Sequence, residues 1–172
     1  ALAYVTSEDM PVFYTLEGQD ELPLSTAFQN GLEKQNAQLQ SINLLTQESV
    51  PEDAQGVLIM APVTDISADD ADKLIAYLDK GGKILMTTAY MEDFAEEMPN
   101  LQKVLDYFGL AIEKGLVMEG DSSMYYQQPA YLLPDVAYDT LTKGISGEKY
   151  IFMPYAQGIR SEEKEDVTLT PL

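Results

Sequence analysis

In the middle of the sequence, the pattern of apolar residues changes from that of a strand to that of a helix and back to that of a strand. Gly56 to Ala61 is almost uniformly apolar, as expected of a parallel strand that is covered on both faces. Ser67 then predicts a helix N-cap, and the apolar residues after it recur at helical spacing up to the pair Gly81-Gly82. Lys83 to Thr88 predicts a second buried strand, so this stretch indicates a β-α-β unit with parallel strands.

Similar patterns cover the rest of the chain. They predict a helix over Leu24–Gln35, which should lay one apolar stripe on a sheet, and a helix from Pro99 to Phe108 that is closed by Gly109. Strands are predicted at Ala1–Thr6, Pro11–Leu16, Leu39–Leu44, Leu110–Glu113, Leu116–Met118, Tyr150–Met153 and Val167–Thr170. We therefore expect one α/β domain over residues 1–172, built as a three-layer α/β/α sandwich around a mainly parallel sheet. The strand-like ends favour a domain taken from a longer protein.

The net charge of the chain restricts the classes of partner that it can bind. The chain has 29 acidic and 10 basic residues, which gives a formal net charge of -19. Phosphate backbones and anionic lipid head groups are repelled by such a surface, so nucleic acid is not expected as a partner. The sequence contains neither a spanning apolar run nor a signal-peptide pattern.

The absence of cysteine and histidine removes most catalytic templates. Ser-His-Asp and Cys-His arrangements are impossible, as are metal sites that use thiolate or imidazole. The acidic cluster Asp65, Asp69, Asp70 and Asp72 lacks the spacing of a calcium loop, and acids at a helix start account for Asp69 and Asp70. Phosphate-binding glycine motifs are missing too. We expect no catalytic residue, no metal and no cofactor.

Ligands of open parallel sheets bind beyond the carboxyl ends of the strands. Glu17, Asp20 and Glu21 follow a predicted strand and could act as paired carboxylates, although a solvated acidic loop explains them as well. If the domain binds a small polar ligand, the strand ends supply these candidates: Glu17, Gln19, Glu21, Thr64, Asp65, Thr88 and Tyr90.

A tyrosine-rich segment interrupts the regular pattern between Glu119 and Asp139. Tyr125, Tyr126 and Tyr131 combine a large contact area with a polar group and few rotatable bonds, which suits a partner surface. The same rings could instead cover a sheet edge as a small satellite core. Both interpretations stay open.

Four stretches, in this order, resemble a known family: Phe13 to Glu21, then Ile42 to Leu45 with Val50 to Ala54, then Tyr77 to Lys83, and finally Leu132 to Asp135 with Leu141 to Gly144. Their order and spacing are similar to those of the extracytoplasmic domain of gliding-motility-type ABC transporter auxiliary proteins. The resemblance implies a flavodoxin-like, glutamine-amidotransferase-like sheet.

The resemblance also implies a cellular setting. It places the domain on the extracytoplasmic face of the cell membrane, tethered by transmembrane helices outside this chain, beside ABC permease and ATPase subunits. It transfers no catalytic residue: members of the family often carry histidine where this chain has Gln19, and the enzymes among the amidotransferase-like relatives use a cysteine nucleophile.

Three functions are consistent with these observations. We expect a non-catalytic ligand-sensing or partner-docking domain of an ABC-type transport system. A carboxylate-dependent hydrolase acting on carbohydrate is the first alternative, and it requires two acids facing each other across a cleft. A purely structural protein-protein interaction module is the second, and it requires an exposed apolar or tyrosine-rich patch.

Overall fold

The computed structural model describes residues 10–140, 142–145 and 150–171. They fall into two compact units. The first comprises the described parts of Ala1–Ala89 and Glu97–Val104, and the second comprises those of Tyr90–Glu96 and Leu105–Leu172. The prediction of a single domain over residues 1–172 is not tested by this division.

A four-stranded parallel sheet forms the first unit. Its strands are β1 (Val12–Leu16), β2 (Gln38–Ile42), β3 (Ala54–Met60) and β4 (Ile84–Thr87), in the spatial order β2-β1-β3-β4. This is the order of the first four strands of a flavodoxin-like sheet. The chain therefore has the predicted fold class, a three-layer α/β/α arrangement with a mainly parallel sheet.

Capping side chains set the starts of two helices. Helix α1 (Thr26–Lys34) begins after Ser25, whose hydroxyl accepts from Phe28 N at 3.2 Å. Helix α2 (Ala68–Asp79) begins after Ser67, whose hydroxyl accepts from Asp70 N at 3.1 Å, as the sequence predicts. Gly81 ends α2 with a φ of +85°, a conformation that carries no Cβ penalty in glycine.

The core of the first unit lies on β3 and the helices beside it. Val57 and Ile59 of β3 are fully buried, as the uniform apolar run predicts. Ala71 and Leu74 of α2 are also fully buried. Two further helices follow β4 along the chain, α3 (Phe94–Glu97) and α4 (Pro99–Asp106), and Leu101 of α4 is fully buried.

Short antiparallel ladders form the second unit. Strand β5 (Leu110–Ile112) pairs with β8 (Ile159–Ser161), and β6 (Tyr131–Leu132) pairs with β7 (Met153–Pro154). Most of this unit is irregular backbone held by individual hydrogen bonds, such as Glu113 N to Gly158 O at 2.8 Å and Val117 N to Ala156 O at 2.9 Å.

Two predictions about burial were wrong. The strand predicted over Lys83 to Thr88 was expected to be buried, but β4 is last in the sheet order and Leu85 is 46% exposed. Helix α1 was expected to lay an apolar stripe on the sheet, yet none of its residues is buried and Phe28 is 41% exposed. Leu24, just before that helix, supplies the buried contact instead.

Several predicted strands differ from the observed ones. Leu116–Met118, Tyr150–Phe152 and Val167–Thr170 are not strands, and β8 forms where none was predicted. The antiparallel pairs of this unit are only two or three residues long, so they impose no alternating apolar pattern on the sequence. The strand predicted at Ala1–Thr6 lies outside the described residues.

Candidate functional site

The carboxyl ends of β1 and β3 lie next to each other at the point where the strand order reverses. From β1 the chain passes to β2 on one side, and from β3 it passes to β4 on the other. Ligands of open α/β sheets bind at such a switch point. The loops that form it are residues 17–22 after β1 and residues 61–66 after β3, which we call the switch-point loops.

Hydrogen bonds hold the switch-point loops together. Gln19 O accepts from Val63 N at 2.9 Å and from Thr64 N at 3.3 Å, while Leu22 N donates to Met60 O at 2.8 Å. Within the first loop, Glu21 Oε2 accepts from Gly18 N at 3.1 Å and from Gln19 N at 3.0 Å. The backbone of this region is therefore fixed before any ligand arrives.

Two buried oxygens in the first loop have no hydrogen-bond donor. They are Gln19 Oε1 and Glu21 Oε1, and Gln19 as a whole is only 5% exposed. Buried polar side-chain atoms in folded proteins nearly always have a partner. These two oxygens therefore call for a functional or solvent-based explanation.

The backbone at this edge also adopts unusual conformations. Ala61, the first residue after β3, has a φ of +44°, although it is buried and carries a Cβ. Asp20 has a φ of +54°. Left-handed backbone in residues other than glycine costs free energy and concentrates at functional sites.

A cleft of about 440 Å³ lies beside Glu21. Its wall combines two carboxylates with polar and apolar side chains: Thr15, Leu16, Glu17, Glu21, Leu22, Pro23, Leu24, Gln29, Leu39, Gln40, Ser41 and Met60. We call it the Glu21 cleft. Its volume is within the range of small-molecule sites.

The other strand-end candidates have different surroundings. Asp65 accepts from Asn100 N at 2.8 Å, from Asn100 Nδ2 at 2.9 Å and from Leu101 N at 3.0 Å, so its carboxylate caps the start of α4. Thr64 is exposed, Thr88 is partly buried at the end of β4, and Tyr90 belongs to the second unit. The structure thus brings Gln19 and Thr64 together. A ligand role stays a prediction for each of the strand-end candidates.

An exposed group of aromatic rings distinguishes the second unit. Tyr131 packs edge to face against Phe152 and Tyr155, with ring centroids 5.5 and 5.3 Å apart, and Tyr126 packs against Phe152 at 6.3 Å. The side chains remain open to solvent, because Tyr126 is 55%, Phe152 50% and Tyr155 48% exposed. We call these four residues the aromatic cluster.

Hydrogen bonds fix the geometry of the aromatic cluster. The hydroxyls of Tyr131 and Tyr155 are 3.2 Å apart, and Gln128 Nε2 donates to the Tyr155 hydroxyl at 3.5 Å. A tight turn joins Tyr126 N to Tyr131 O at 2.8 Å. The hydrogen bond to Tyr155 is the main cause of a raised pKa for Tyr131.

Part of this cluster is predictable from the sequence. Of the predicted partner residues Tyr125, Tyr126 and Tyr131, the structure brings the last two into one cluster, while Tyr125 forms a bridge with Leu132 instead. Phe152 and Tyr155 were missed because they lie more than twenty residues later in the sequence. The aromatic residues from Tyr150 to Tyr155 are the available signal, although the pattern of Tyr150–Met153 predicts a strand.

The buried acid Asp70, elsewhere in the first unit, has a structural role. Asp70 is 1% exposed and accepts from Lys73 Nζ at 3.3 Å, and Lys73 Nζ also donates to Leu44 O at 2.7 Å. The hydrogen bond to Asp69 is the main cause of a raised pKa for Lys73. Within residues 10–140, 142–145 and 150–171, no group of three or more acids could hold a metal ion.

Comparisons with known proteins add a similarity of fold. No protein-family model matches the chain. No curated protein matches it either. A solved structure described as the mmIFT52 N-terminal domain is similar to it, with a TM-score of 0.66 and 16% sequence identity over 88% of this chain and 69% of that chain. At this level of identity the similarity shows the fold alone.

None of the helices in the described part of the chain is long and apolar enough to cross a membrane.

Proposed function

We propose that this chain is a non-catalytic docking domain of an ABC-type transport complex, and that the aromatic cluster is the surface that binds its partner. The observation that carries the proposal is the half exposure of Tyr126, Phe152 and Tyr155. Rings that pack against one another and stay open to solvent offer contact area that is already ordered. Tyrosines of this kind dominate the binding energy of many interfaces.

The resemblance seen in the sequence supports the setting of the proposal. It favours a domain on the extracytoplasmic face of the cell membrane, tethered by helices outside this chain, with the permease and ATPase subunits as partners. Docking requires neither a nucleophile nor a metal, which agrees with a sequence that has no cysteine or histidine.

Charge indicates the chemistry of the partner surface. With a net charge of -19, the chain repels acidic partners and attracts basic ones. Arginine and lysine side chains also bind to the faces of tyrosine and phenylalanine rings. The docking segment of the partner should therefore carry arginine or lysine.

A photo-crosslinking experiment tests this docking. The full-length protein, with p-benzoylphenylalanine in place of Tyr126, is irradiated in its native membrane and adducts are identified by mass spectrometry. We expect an adduct with the permease subunit. The same probe at Tyr138, which is 84% exposed and lies outside the cluster, should give none. Equal labelling from both positions would contradict the proposal.

The non-catalytic part of the proposal has its own test. The carbohydrate hydrolase alternative requires two acids, and Glu17 and Glu21 are the acids to examine because both line the Glu21 cleft. We expect no hydrolysis of oligosaccharides by the purified chain. Sustained hydrolysis that disappears in Glu17→Gln or Glu21→Gln would establish the hydrolase instead.

A further inference from the structure

The four rings of the aromatic cluster stand at right angles to their neighbours. Along the cluster the order is Tyr126, Phe152, Tyr131 and Tyr155, and the planes of successive rings meet at 90°, 82° and 83°. Rings in this arrangement cannot form one flat plane, so a partner meets ring faces and ring edges in turn. Compact apolar groups that recur at short intervals fit such a surface.

Hydrogen-bond donors lie beside the rings. The hydroxyls of Tyr131 and Tyr155 are 3.2 Å apart and share one hydrogen, and Gln128 Nε2 donates to the Tyr155 hydroxyl at 3.5 Å. Each hydroxyl carries one hydrogen and the amide nitrogen carries two, so one hydroxyl hydrogen and one amide hydrogen have no acceptor in the described part of the chain. Both contacts are exposed, which leaves these hydrogens available to carbonyl oxygens of a partner.

The segments that build the cluster are acidic or neutral. Residues 116–142 contain acids, among them Glu119 and Asp121, but neither lysine nor arginine, and residues 150–159 have no charged side chain. Glu119 lies at the turn that carries Gln128, because Glu119 N donates to Pro129 O at 2.9 Å. A basic residue of the partner therefore meets opposite charge beside the rings, whereas an acidic or phosphorylated segment is repelled.

The backbone amides of the cluster are already paired. Tyr126 N donates to Tyr131 O at 2.8 Å, and Tyr155 N donates to Ala130 O at 2.9 Å. Tyr131 N donates to Gln128 O at 2.8 Å. Recognition by strand addition needs a row of unpaired backbone groups, so binding at this surface depends on the side chains.

A proline-rich segment meets each of these conditions. Such segments adopt the polyproline II helix, which repeats about every three residues and presents compact apolar rings at short intervals. The helix has no internal hydrogen bonds, so its carbonyl oxygens can accept from side-chain donors. Domains that bind this helix do so with exposed aromatic side chains, and a segment that is ordered before it binds loses little entropy.

We infer that the aromatic cluster binds a proline-rich segment in the polyproline II conformation, with arginine or lysine beside the prolines. The prolines pack against the rings, and the carbonyl oxygens of the segment accept from the hydroxyl pair and from Gln128. The basic residue lies on the side of Glu119. This inference rests on the docking proposed above and adds to it the kind of segment that docks.

An NMR titration of the purified chain tests the inference. The probe is an oligoproline peptide with an arginine at each end, and the comparison peptide has the same arginines around glycine and serine. We expect saturable shifts of the backbone amide signals of Tyr126, Gln128, Tyr131 and Tyr155 with oligoproline, and at least tenfold weaker binding of the comparison peptide. Equal binding of the two peptides, or no binding of oligoproline, would overturn the inference.

Three variants locate the binding site. Tyr126→Ala removes a ring that is 55% exposed and should weaken oligoproline binding at least tenfold, whereas Tyr138→Ala, at an 84% exposed ring outside the cluster, should bind within twofold of the unchanged protein. Gln128→Met keeps every ring and removes the amide donor, so it should weaken binding about twofold to tenfold. Equal affinity of Tyr126→Ala and Tyr138→Ala, or unchanged affinity in Gln128→Met, would contradict the inferred contacts.

Two results separate this inference from the docking proposal. A photo-adduct between position 126 and the permease subunit, without oligoproline binding, would leave the docking in place and overturn the inference. Oligoproline binding that Tyr126→Ala abolishes, without an adduct to the permease subunit, would support the inference and overturn the choice of the permease as the partner.

Discussion

The carboxylate of Asp65 shows how a single side chain fixes a helix in this fold. It accepts three hydrogen bonds from Asn100 and Leu101, at the start of α4. The first N–H groups of a helix have no partner inside the helix, so a carboxylate placed there satisfies them and complements the helix dipole. The residue follows β3 and therefore connects the end of that strand to α4.

Replacement of Asp65 by alanine should destabilise the protein by about 2 kcal/mol, because it removes a helix cap. Asp72→Ala is the matched control, since Asp72 also contacts α4, through an exposed ion pair with Lys103 at 2.5 Å. The control should cost less than about 1 kcal/mol. Urea denaturation followed by circular dichroism measures both values, and equal losses would contradict the capping role.

The pair Tyr131 and Tyr155 predicts a pH effect. The folded-state pKa of Tyr131 is raised above the ordinary value of 10.0, chiefly by the hydrogen bond to Tyr155. A raised pKa means that the folded state holds the proton more tightly, so this contribution to stability is present below the ordinary pKa and is lost as pH rises through the folded-state pKa.

Near-ultraviolet titration of tyrosine should therefore include a late-ionising group that moves to lower pH in Tyr155→Phe. The pKa of Tyr14, which is raised chiefly by burial, should not change in this variant. Tyr138→Phe is the control, because Tyr138 is 84% exposed and belongs to none of the ring pairs in the described part of the chain. An unchanged titration curve for Tyr131 in Tyr155→Phe would contradict the assigned cause.

At the scale of elements, Gly109 sets the connection between α4 and β5. Its φ is +69°, and a Cβ at this position would lie 2.6 Å from Glu162 O. Glu162 N donates to Gly109 O at 2.8 Å, which continues the pairing of β5 with β8. The close approach of the two backbones therefore requires glycine.

Gly109→Ala should lower the free energy of unfolding by about 1 to 2 kcal/mol, because alanine disfavours the left-handed conformation. The close contact of its Cβ with Glu162 O should lower the free energy of unfolding further. Gly115→Ala isolates the first part, because Gly115 has a φ of +82° and open space around it. Chemical denaturation of both variants gives the difference. Equal destabilisation of the two variants would mean that the backbones of β5 and β8 move apart at this point without a cost in free energy.

Elements with strong local signals were predictable. The apolar run of β3, the Ser67 cap and the left-handed Gly81 define β3-α2-β4 because each depends on neighbours in sequence. The helix from Pro99 was predicted to extend to Phe108, and the observed α4 ends at Asp106. All of these signals depend on residues that are close together in the sequence.

Elements that depend on distant partners were not predictable. The exposure of Leu85 follows from the position of β4 in the sheet order, which no local pattern encodes. Strand β8 has three exposed residues and exists because β5 pairs with it. The candidate site divides in the same way: Gln19 and Glu21 were named from their place after a strand, whereas the burial of their oxygens depends on contacts that only folding creates.

On the scale of the whole molecule, net charge is the dominant property. A formal charge of -19 on 172 residues implies repulsion within the folded chain. Ion pairs such as Arg160 with Glu162 offset little of it, since such exposed pairs contribute little to stability.

Added salt should therefore raise the melting temperature. Between about 10 mM and about 1 M sodium chloride the screening length falls roughly tenfold, so repulsion between like charges weakens. Differential scanning calorimetry measures the change. A melting temperature that falls with salt would show that attractive ion pairs outweigh the net repulsion.

In the proposed docking, the aromatic cluster supplies the binding energy and the negative net charge selects a basic partner. Tyr126 is the most suitable residue to change, because its ring packs against Phe152 and is otherwise open. Truncating it should leave the fold intact.

The most direct measurement is the dissociation constant of the full-length protein for the purified permease–ATPase complex, compared between the unchanged protein, Tyr126→Ala and Tyr138→Ala. We expect Tyr126→Ala to weaken binding at least tenfold, about 1.4 kcal/mol, with an unchanged melting temperature. Tyr138→Ala should bind as tightly as the unchanged protein. Binding by Tyr126→Ala that equals that of the unchanged protein, or no binding by any of the three, would contradict the account.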